Sequence, residues 1–289
     1  MSYIGAHIGI SDGIIEGIKK IQKAGGDIVQ IFITNPRQKD ITERTYDSLY
    51  RVKNYLIENN IRLVIHSSYL TNLARGWSKY SWWIMNLITE IEYAGQMGAL
   101  GVVVHLGESV GYPQNIAINN MFTAIVHVVN ITHKKYPNTL LLIETGAGQG
   151  SQLCYNLDDL ANFFKKFSVL DDSLQKRIKL CLDSCHLFAA GYDLREEKDV
   201  DKLWDNIDKL FELKEISLVH LNDSSKPVGS RLDRHASLGA GEIGTTGINR
   251  FFYHCCKNEI PVILETPNHT FEDEIRTLQM LKAKFNNTK

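Results

Sequence analysis

The chain has 289 residues, 44% of them hydrophobic, and its acidic and basic side chains nearly balance at a formal net charge of −1. This length and composition exclude an intrinsically disordered chain and suit one large α/β barrel, a fold that typically takes about 250 residues. Balanced charge predicts no globally basic surface, so a nucleic-acid partner would have to be held by local positive charge.

The sequence predicts neither a membrane segment nor a secretory signal. It contains no run of about 18 consecutive apolar residues, and its opening MSYIGAHIGI lacks a basic region and a cleavage site. The five cysteines are an odd number without CxxC spacing, which favours a reducing environment. We therefore expect an intracellular protein with no membrane partner, and by default a monomer.

Eight apolar, β-rich segments recur along the chain, separated by longer segments with helical spacing. Their hydrophobicity is nearly continuous, as expected of parallel strands buried on both faces. Eight β–α units predict an α/β fold, a (β/α)₈ TIM barrel formed by a single domain over residues 1–289. The predicted strands cover residues 3–8, 27–33, 61–66, 100–105, 139–144, 178–183, 216–221 and 260–265.

The most informative feature is the residue type at the ends of these strands. From the third strand to the eighth, each run closes on a histidine or a carboxylate, about 40 residues after the previous one. Strand C-termini of a parallel barrel open on one face, where the active sites of this fold lie. One such residue is usually a hydrogen-bonded polar group, but six converging on one rim would be costly without a cation. The six are His66, His105, Glu144, Asp183, His220 (followed only by Leu221) and Glu265.

Three further candidates lie just beyond strand ends. His186 follows Asp183 by three residues, and Asp233 and His235 lie in the segment His220–Gly244, which shows neither helical nor strand periodicity. A loop of this length inside a compact domain is usually functional. Imidazoles and carboxylates bind borderline metal ions, and five histidines with four carboxylates suffice for three zinc-like sites if one carboxylate bridges. Three Zn²⁺ ions against four carboxylates leave a formal charge of about +2, which suits a phosphodiester.

The other histidines, cysteines and aromatic residues near these candidates are interpreted as packing residues. His7 ends the first strand beside the same face and is a candidate for a supporting role. The packing residues are His127, His133, His254, His269, Cys181, Cys185, Tyr80, Trp82 and Trp83.

Taken together, these residues resemble the endonuclease IV family of apurinic/apyrimidinic (AP) DNA-repair endonucleases. The resemblance runs from Tyr3 to Pro267. It rests on the motifs HSSYLTNLA (66–74), VVHLG (103–107), ETGAGQG (144–150), CLDSCHLFAAGYDLR (181–195), HLND (220–223), GSRLDRHASLGAGEIG (229–244) and LETP (264–267).

By this resemblance, the nine candidates hold three zinc ions. Glu144 bridges two of the ions, and Glu265 also orients or deprotonates the attacking water, so both carry catalytic roles. The implied ligand sets are His66, His105 and Glu144 for the first ion, Glu144, Asp183, His220 and Glu265 for the second, and His186, Asp233 and His235 for the third.

The resemblance implies hydrolysis of the phosphodiester 5′ to an abasic site in duplex DNA, leaving a 3′-hydroxyl and a 5′-deoxyribose phosphate. Trimming of 3′ ends and exonuclease activity are further activities of the family. An abasic nucleotide is cheaper to extrude than a paired base, and residues of the family's loops fill the gap it leaves. The matching positions here are Arg37, Gln38, Tyr69 and Leu70. The chain departs from the family at Lys39, Ser67 and residues 75–83, which bears on DNA bending and lesion range.

A xylose-isomerase-like sugar isomerase or epimerase is the alternative interpretation. Such enzymes resemble this chain in the Glu, Asp, His and Glu that end the last four strands around one or two divalent ions. They need neither His66 and His105 nor the set formed by His186, Asp233 and His235. A DNA-binding protein without activity is a second alternative, but loss of activity should appear as a missing ligand, and none of the nine is missing.

Overall fold

Eight parallel strands close into a barrel in the computed structural model, which describes residues 2–267 and 271–287. The last strand pairs with the first, so the described barrel has no open edge. This confirms the fold class predicted from the sequence, and each strand lies within its predicted segment. The barrel strands are β1 (Ile4–Ile8), β2 (Ile28–Ile31), β3 (Arg62–His66), β4 (Gly101–His105), β5 (Leu140–Glu144), β6 (Ile178–Asp183), β7 (Ile216–His220) and β10 (Val262–Leu264).

Two further strands, β8 (Asp223–Ser224) and β9 (His235–Ala236), pair antiparallel outside the barrel. They lie in the segment predicted to have no strand structure, so that prediction was wrong for these four residues. Each strand is only two residues long, which is too short to produce a visible alternation in the sequence.

Helices surround the barrel and connect its strands. Several begin at a side-chain cap: Thr45 accepts a 3.3 Å hydrogen bond from the Ser48 amide, and Asn156 accepts one of 2.8 Å from the Asp159 amide. None of the described helices is long and apolar enough to cross a membrane. The α-helices are α1 (Ile14–Lys23), α2 (Tyr46–Asn59), α3 (Trp82–Met97), α4 (Gln114–His133), α5 (Leu157–Phe164), α6 (Asp172–Gln175), α7 (Ser184–Ala190), α8 (Glu197–Phe211), α9 (Gly244–Lys257) and α10 (Phe271–Asn287), with 3₁₀ turns at Lys165–Val169 and Leu213–Glu215.

Side chains of the barrel strands alternate between the helices and the barrel interior. The interior begins with an apolar cluster, here called the barrel floor. On β1 the floor position is Gly5, where a Cβ would lie 1.6 Å from the Ile28 carbonyl oxygen, so only glycine fits. The other floor residues are Ile28, Val64, Val103, Leu142, Cys181, Leu218 and Ile263.

Two residues beyond each floor position, towards the C-terminal end of the strand, the interior residue is polar. We call these eight residues the polar rim. The period of two is that of a β-strand, so floor and rim side chains point to the same side. The rim residues are His7, Gln30, His66, His105, Glu144, Asp183, His220 and Glu265.

Away from the rim, an ion-paired cluster joins α8 to α9. Both Asp201 carboxylate oxygens accept hydrogen bonds from Arg250, at 2.7 and 2.9 Å, and His254 Nε2 lies 2.6 Å from Asp201 Oδ1. The His254 ring in turn stacks on Trp204 at 5.3 Å. The Arg250 hydrogen bonds lower the pKa of Asp201 to about 2.

We expect Asp201→Asn to destabilise the metal-free protein by about 1 kcal/mol at pH 7, because a partly exposed bidentate pair contributes about that much. The folded-state pKa of Asp201 lies below its ordinary 3.8, so this stability is present above pH 3.8 and is lost as the pH falls towards 2. Denaturant unfolding between pH 2.5 and 7 should show the two proteins converging in acid. Asp199→Asn, which removes an exposed pair with Lys202 on the same helix, is the control and should change stability by less than about 0.5 kcal/mol. A wild-type advantage that persists unchanged at pH 2.5 would contradict the assignment.

Candidate metal centre

The nine side chains predicted as metal ligands come together at the C-terminal end of the barrel. Six belong to the polar rim, His186 comes from the first turn of α7, and Asp233 and His235 come from the loop between β7 and α9. Their donor atoms form groups within 4.8 Å of one another, namely His66, His105 and Glu144; Glu144, Asp183, His220 and Glu265; and Asp183, His186 and His235.

Distances between nitrogen and oxygen in the first two groups match a tetrahedral metal site. His66 Nε2 and His105 Nε2 each lie 3.3 Å from Glu144 Oε2. His220 Nδ1 lies 3.0 Å from Glu144 Oε1 and 3.3 Å from Glu265 Oε2. Two ligands about 2.05 Å from a tetrahedral zinc ion are about 3.3 Å apart, whereas a charge-assisted N–H···O bond is about 2.8 Å long. The arrangement therefore leaves room for an ion between the donors.

The set predicted for the third ion, His186, Asp233 and His235, is divided between two of the structure's groups, Asp183 with His186 and His235, and Cys185 with Asp233 and His235. It nevertheless has the same close spacing and an unsatisfied nitrogen. Asp233 lies 3.2 Å from both His186 Nε2 and His235 Nε2. His235 Nε2 is buried and makes no hydrogen bond to any described residue, although it also lies 3.7 Å from Asp183 Oδ2. A buried nitrogen facing two carboxylates without bonding to either is the geometry a cation would satisfy.

Backbone carbonyls set which imidazole nitrogen is free to bind a metal. In His66, His186 and His235, Nδ1 lies 2.8, 2.8 and 3.2 Å from a carbonyl oxygen. A carbonyl can only accept, so Nδ1 carries a proton, and in the neutral imidazole that binds a metal the lone pair is on Nε2. In all three residues this leaves Nε2 facing the carboxylates.

Gln30 is a functional residue that the sequence analysis missed. Its side chain is fully buried on β2. Nε2 donates to Glu265 Oε1 at 2.7 Å, and Oε1 lies 2.9 Å from His220 Nε2. His220 therefore donates from Nε2, which leaves Nδ1 directed at Glu144 and Glu265. His7 lies 3.0 Å from Gln30 and 3.3 Å from Glu265, consistent with a supporting role. The available signal was a single polar residue inside the apolar run DIVQIFI.

Asn222 and Asp223 were also missed. Asn222 donates to Asp183 Oδ2 at 2.7 Å and accepts from the Glu265 amide at 2.8 Å, so it connects two predicted ligands. The buried Asp223 carboxylate accepts hydrogen bonds of 3.0–3.2 Å from four backbone amides in the segment 239–244. It thereby secures the loop that carries Asp233 and His235. The motif HLND contained both residues, but nothing local in it indicated these long-range partners.

The surroundings of Glu144 and Glu265 lower the pKa of both carboxyl groups. Burial alone would raise the pKa of Glu144, but the neighbouring His105 and His220 lower it well below the ordinary value. The pKa of Glu265 is likewise lowered, against the effect of burial, chiefly by His220. Ionised carboxylates are the form in which these groups bind a cation.

The four residues predicted to contact DNA lie on the same face. Arg37 and Gln38 are exposed in the loop after β2, and the side chains of Tyr69 and Leu70 are 55% and 37% exposed after β3. Tyr69 borders two cavities. One, of about 670 Å³, reaches Glu265, and the other, of about 280 Å³, reaches His105, His186 and Asp233.

The packing interpretations are only partly correct. Cys181 and Cys185 are buried, but the Cys185 Sγ lies within 4.8 Å of the donor atoms of Asp233 and His235. Tyr80 is 75% exposed, so its interpretation as a packing residue was wrong. His127 and His133 lie in α4 and His254 in α9, as predicted, whereas His269 falls outside the residues that the structure describes.

Comparison with known proteins places the chain in a family. Residues 18–284 match the family model AP_endonuc_2, described as a xylose isomerase-like TIM barrel. A probable endonuclease 4 of Halothermothrix orenii is 36% identical, over 94% of this chain and 95% of that protein. A putative endonuclease 4 of Acanthamoeba polyphaga mimivirus is 31% identical, over 99% and 92%. The crystal structure of endonuclease IV from Thermus thermophilus superposes with a TM-score of 0.83 at 26% identity, covering 98% of this chain and 99% of that one. The chain therefore belongs to the endonuclease IV family.

Proposed function

We propose that this protein is a zinc-dependent AP endonuclease. It hydrolyses the phosphodiester 5′ to an abasic site in duplex DNA and leaves a 3′-hydroxyl and a 5′-deoxyribose phosphate. The observation that carries the proposal is that each of the three predicted ligand sets contains imidazole nitrogens 3.0–3.3 Å from a carboxylate oxygen. The names of the relatives, endonuclease 4, support a DNA-cleaving role.

The donors would hold three zinc ions. His66, His105 and Glu144 would hold the first, Glu144, Asp183, His220 and Glu265 the second, and His186, Asp233 and His235 the third. Bound there, the ions would lower the pKa of a water, polarise the phosphodiester and stabilise the charge of the leaving oxygen.

The two catalytic carboxylates differ in their access to substrate. The Glu144 side chain is 0% exposed, so it acts by holding the ligand set together. The Glu265 side chain is 13% exposed and lines the larger cavity, where it can orient or deprotonate the attacking water. Its other oxygen is held by Gln30, which fixes the direction in which the carboxylate presents itself.

Selectivity for abasic DNA comes from the exposed loop residues Arg37, Gln38, Tyr69 and Leu70. Tyr69, which borders two cavities, and the neighbouring Leu70 form an aromatic and apolar pair that can fill the space left by a missing base. A cationic and an amide side chain from the neighbouring loop can contact phosphate or the unpaired base opposite. The zinc ions supply the local positive charge that the chain's net charge of −1 does not.

A sugar isomerase or epimerase on the same barrel is the competing function. Its one or two ions would leave His66, His105 and the group around Asp233 without a role. Those five residues include the buried nitrogen of His235 that faces two carboxylates without bonding to either. Zinc stoichiometry separates the two functions.

The proposed chemistry is tested with Glu265→Gln, which keeps the side chain's size but removes its charge and its capacity as a base. Incision of a labelled duplex with one abasic analogue should fall about 1,000-fold, the scale of losing one group that acts in the transition state. Strong chelation should abolish incision by the wild type, and added zinc should restore it. The control is Glu58→Gln at the exposed C-terminal end of α2, which should cut at the wild-type rate. Wild-type cutting by Glu265→Gln would show that the metal centre is assigned wrongly.

Zinc content provides an independent measurement. We expect about three zinc ions per wild-type chain, against one or two for an isomerase. Gln30→Ala should weaken the most labile zinc about 10- to 100-fold in competition with a chelator, because it releases both His220 and Glu265. Gln30→Met, which keeps the volume without the amide, should do the same, and Gln114→Ala at the exposed start of α4 should change nothing. Unaltered zinc affinity in both Gln30 variants would remove its supporting role.

The role of Tyr69 in DNA recognition can be separated from hydrolysis. Tyr69→Ala should weaken binding of an abasic duplex about 10-fold, as expected for loss of one aromatic contact to DNA. Metal-dependent hydrolysis of a short single strand should change much less. Tyr69→Phe should retain most of the binding, and Tyr80→Ala serves as a control for an exposed tyrosine in the same loop. Equal losses on duplex and single strand would remove this role.

A further inference from the structure

Ser68 joins the two loops that carry the proposed DNA-contacting residues. It lies between His66 and Tyr69 and is 5% exposed. Its Oγ donates to the Pro36 carbonyl oxygen at 2.8 Å, directly before Arg37, and accepts from the Leu70 amide at 3.2 Å. One hydroxyl therefore bonds to the loop after β2 and to the loop after β3.

Glu90 holds Ser68 from the side of α3. Its carboxylate Oε1 accepts from the Ser68 amide at 3.3 Å, and its side chain is 1% exposed. Oε2 is buried without a hydrogen-bond partner among the described residues. Burial raises the pKa of Glu90 to about 7, which reflects the free-energy cost of keeping a carboxyl group in this place. Glu90 belongs to none of the candidate metal groups, although the amide it holds shares a peptide group with the Ser67 carbonyl that accepts from His66 Nδ1.

The same face of α3 makes two more contacts with the loop after β2. One turn before Glu90, Asn86 donates to the Lys39 carbonyl oxygen at 2.7 Å. One turn after it, the Tyr93 hydroxyl accepts from the Arg44 amide at 3.1 Å. Positions 86, 90 and 93 have the i, i+4, i+7 spacing of a single helical face. This face therefore supports the first loop at two points and the second loop through Ser68.

We propose that Glu90 and Ser68 are positioning residues that set the two loops against each other, so that Arg37 and Tyr69 meet the duplex as one unit. The inference rests on the proposed function, since it concerns how that site selects its substrate. Among the described residues, the hydrogen bonds of both side chains go to the backbone of the two loops and not to a predicted metal ligand, so their loss should affect recognition of the lesion rather than hydrolysis. If the two loops moved independently, ordering them on the DNA would cost conformational entropy and lower the affinity.

The test compares variants that break the connection with one that keeps it. Ser68→Ala removes the hydroxyl that bonds to both loops, and Glu90→Met removes the acceptor at similar volume. Glu90→Gln keeps an oxygen for the Ser68 amide. Ser68→Ala and Glu90→Met should each raise KM for an abasic duplex about 10-fold, the scale of losing a buried hydrogen bond, with kcat within about twofold. Glu90→Gln should stay near the wild-type KM, and Ser173→Ala at an exposed position of α6 is the control.

Zinc content and near-ultraviolet circular dichroism identify any variant that fails to fold. If Glu90→Met fails to fold, Ser68→Ala carries the test, because it removes a single oxygen atom. With an active wild type, unchanged KM in Ser68→Ala overturns the inference and leaves the proposed function intact. Equal losses in kcat and on single-stranded substrate also overturn it, since they would indicate damage to the metal centre. A wild type that leaves abasic duplex uncut removes the proposed function, and the inference with it.

Discussion

Crowding of negative charge at one end of the barrel is the constraint on which the rest of the structure depends. Glu144 and Asp183 have no exposed side-chain surface, and both lie within 4 Å of His220 Nδ1. Buried carboxylates at this distance need compensation. Among the described residues, the ion pairs of the centre's four carboxylates are all with histidine, none with lysine or arginine. Neutral amides from Gln30 and Asn222 orient the carboxylates without cancelling their charge, which leaves the compensation to the surrounding histidines or to a bound cation.

The barrel separates stability from chemistry along each strand. Floor residues pack against one another and close the interior, while rim residues two positions later are free to be polar. A change at the rim therefore leaves the floor and the contacts between strands and helices intact, which is why rim variants can be compared as folded proteins. The arrangement also explains why the predicted ligands come from six different strands: each strand contributes one interior position at that level.

Much of this could be predicted from the sequence because strand period and residue type coincide. An apolar run predicts a strand, and its last residue, such as His66, His105 or Glu144, predicts a candidate ligand at the end of that strand. Gln30 could not be predicted from the last residue of its apolar run. In the run DIVQIFI the rim position comes three residues before the end. Asn222 and Asp223 act through partners that are distant in sequence, which no local period records. The exposure of Tyr80 could not be predicted, because tertiary packing and not the local sequence decides which aromatic side chains of a segment are buried.

Closure of the barrel has a consequence for when the protein can act. Glu265 directly follows β10, the strand that pairs with β1 and completes the cylinder. Its partner Gln30 is supplied by β2, more than 200 positions earlier in the chain. Contacts between residues so distant in sequence form late, because a large loop must be ordered before they can be made. A growing or partly folded chain therefore lacks part of the predicted ligand set, and the proposed activity would arise only with the finished fold.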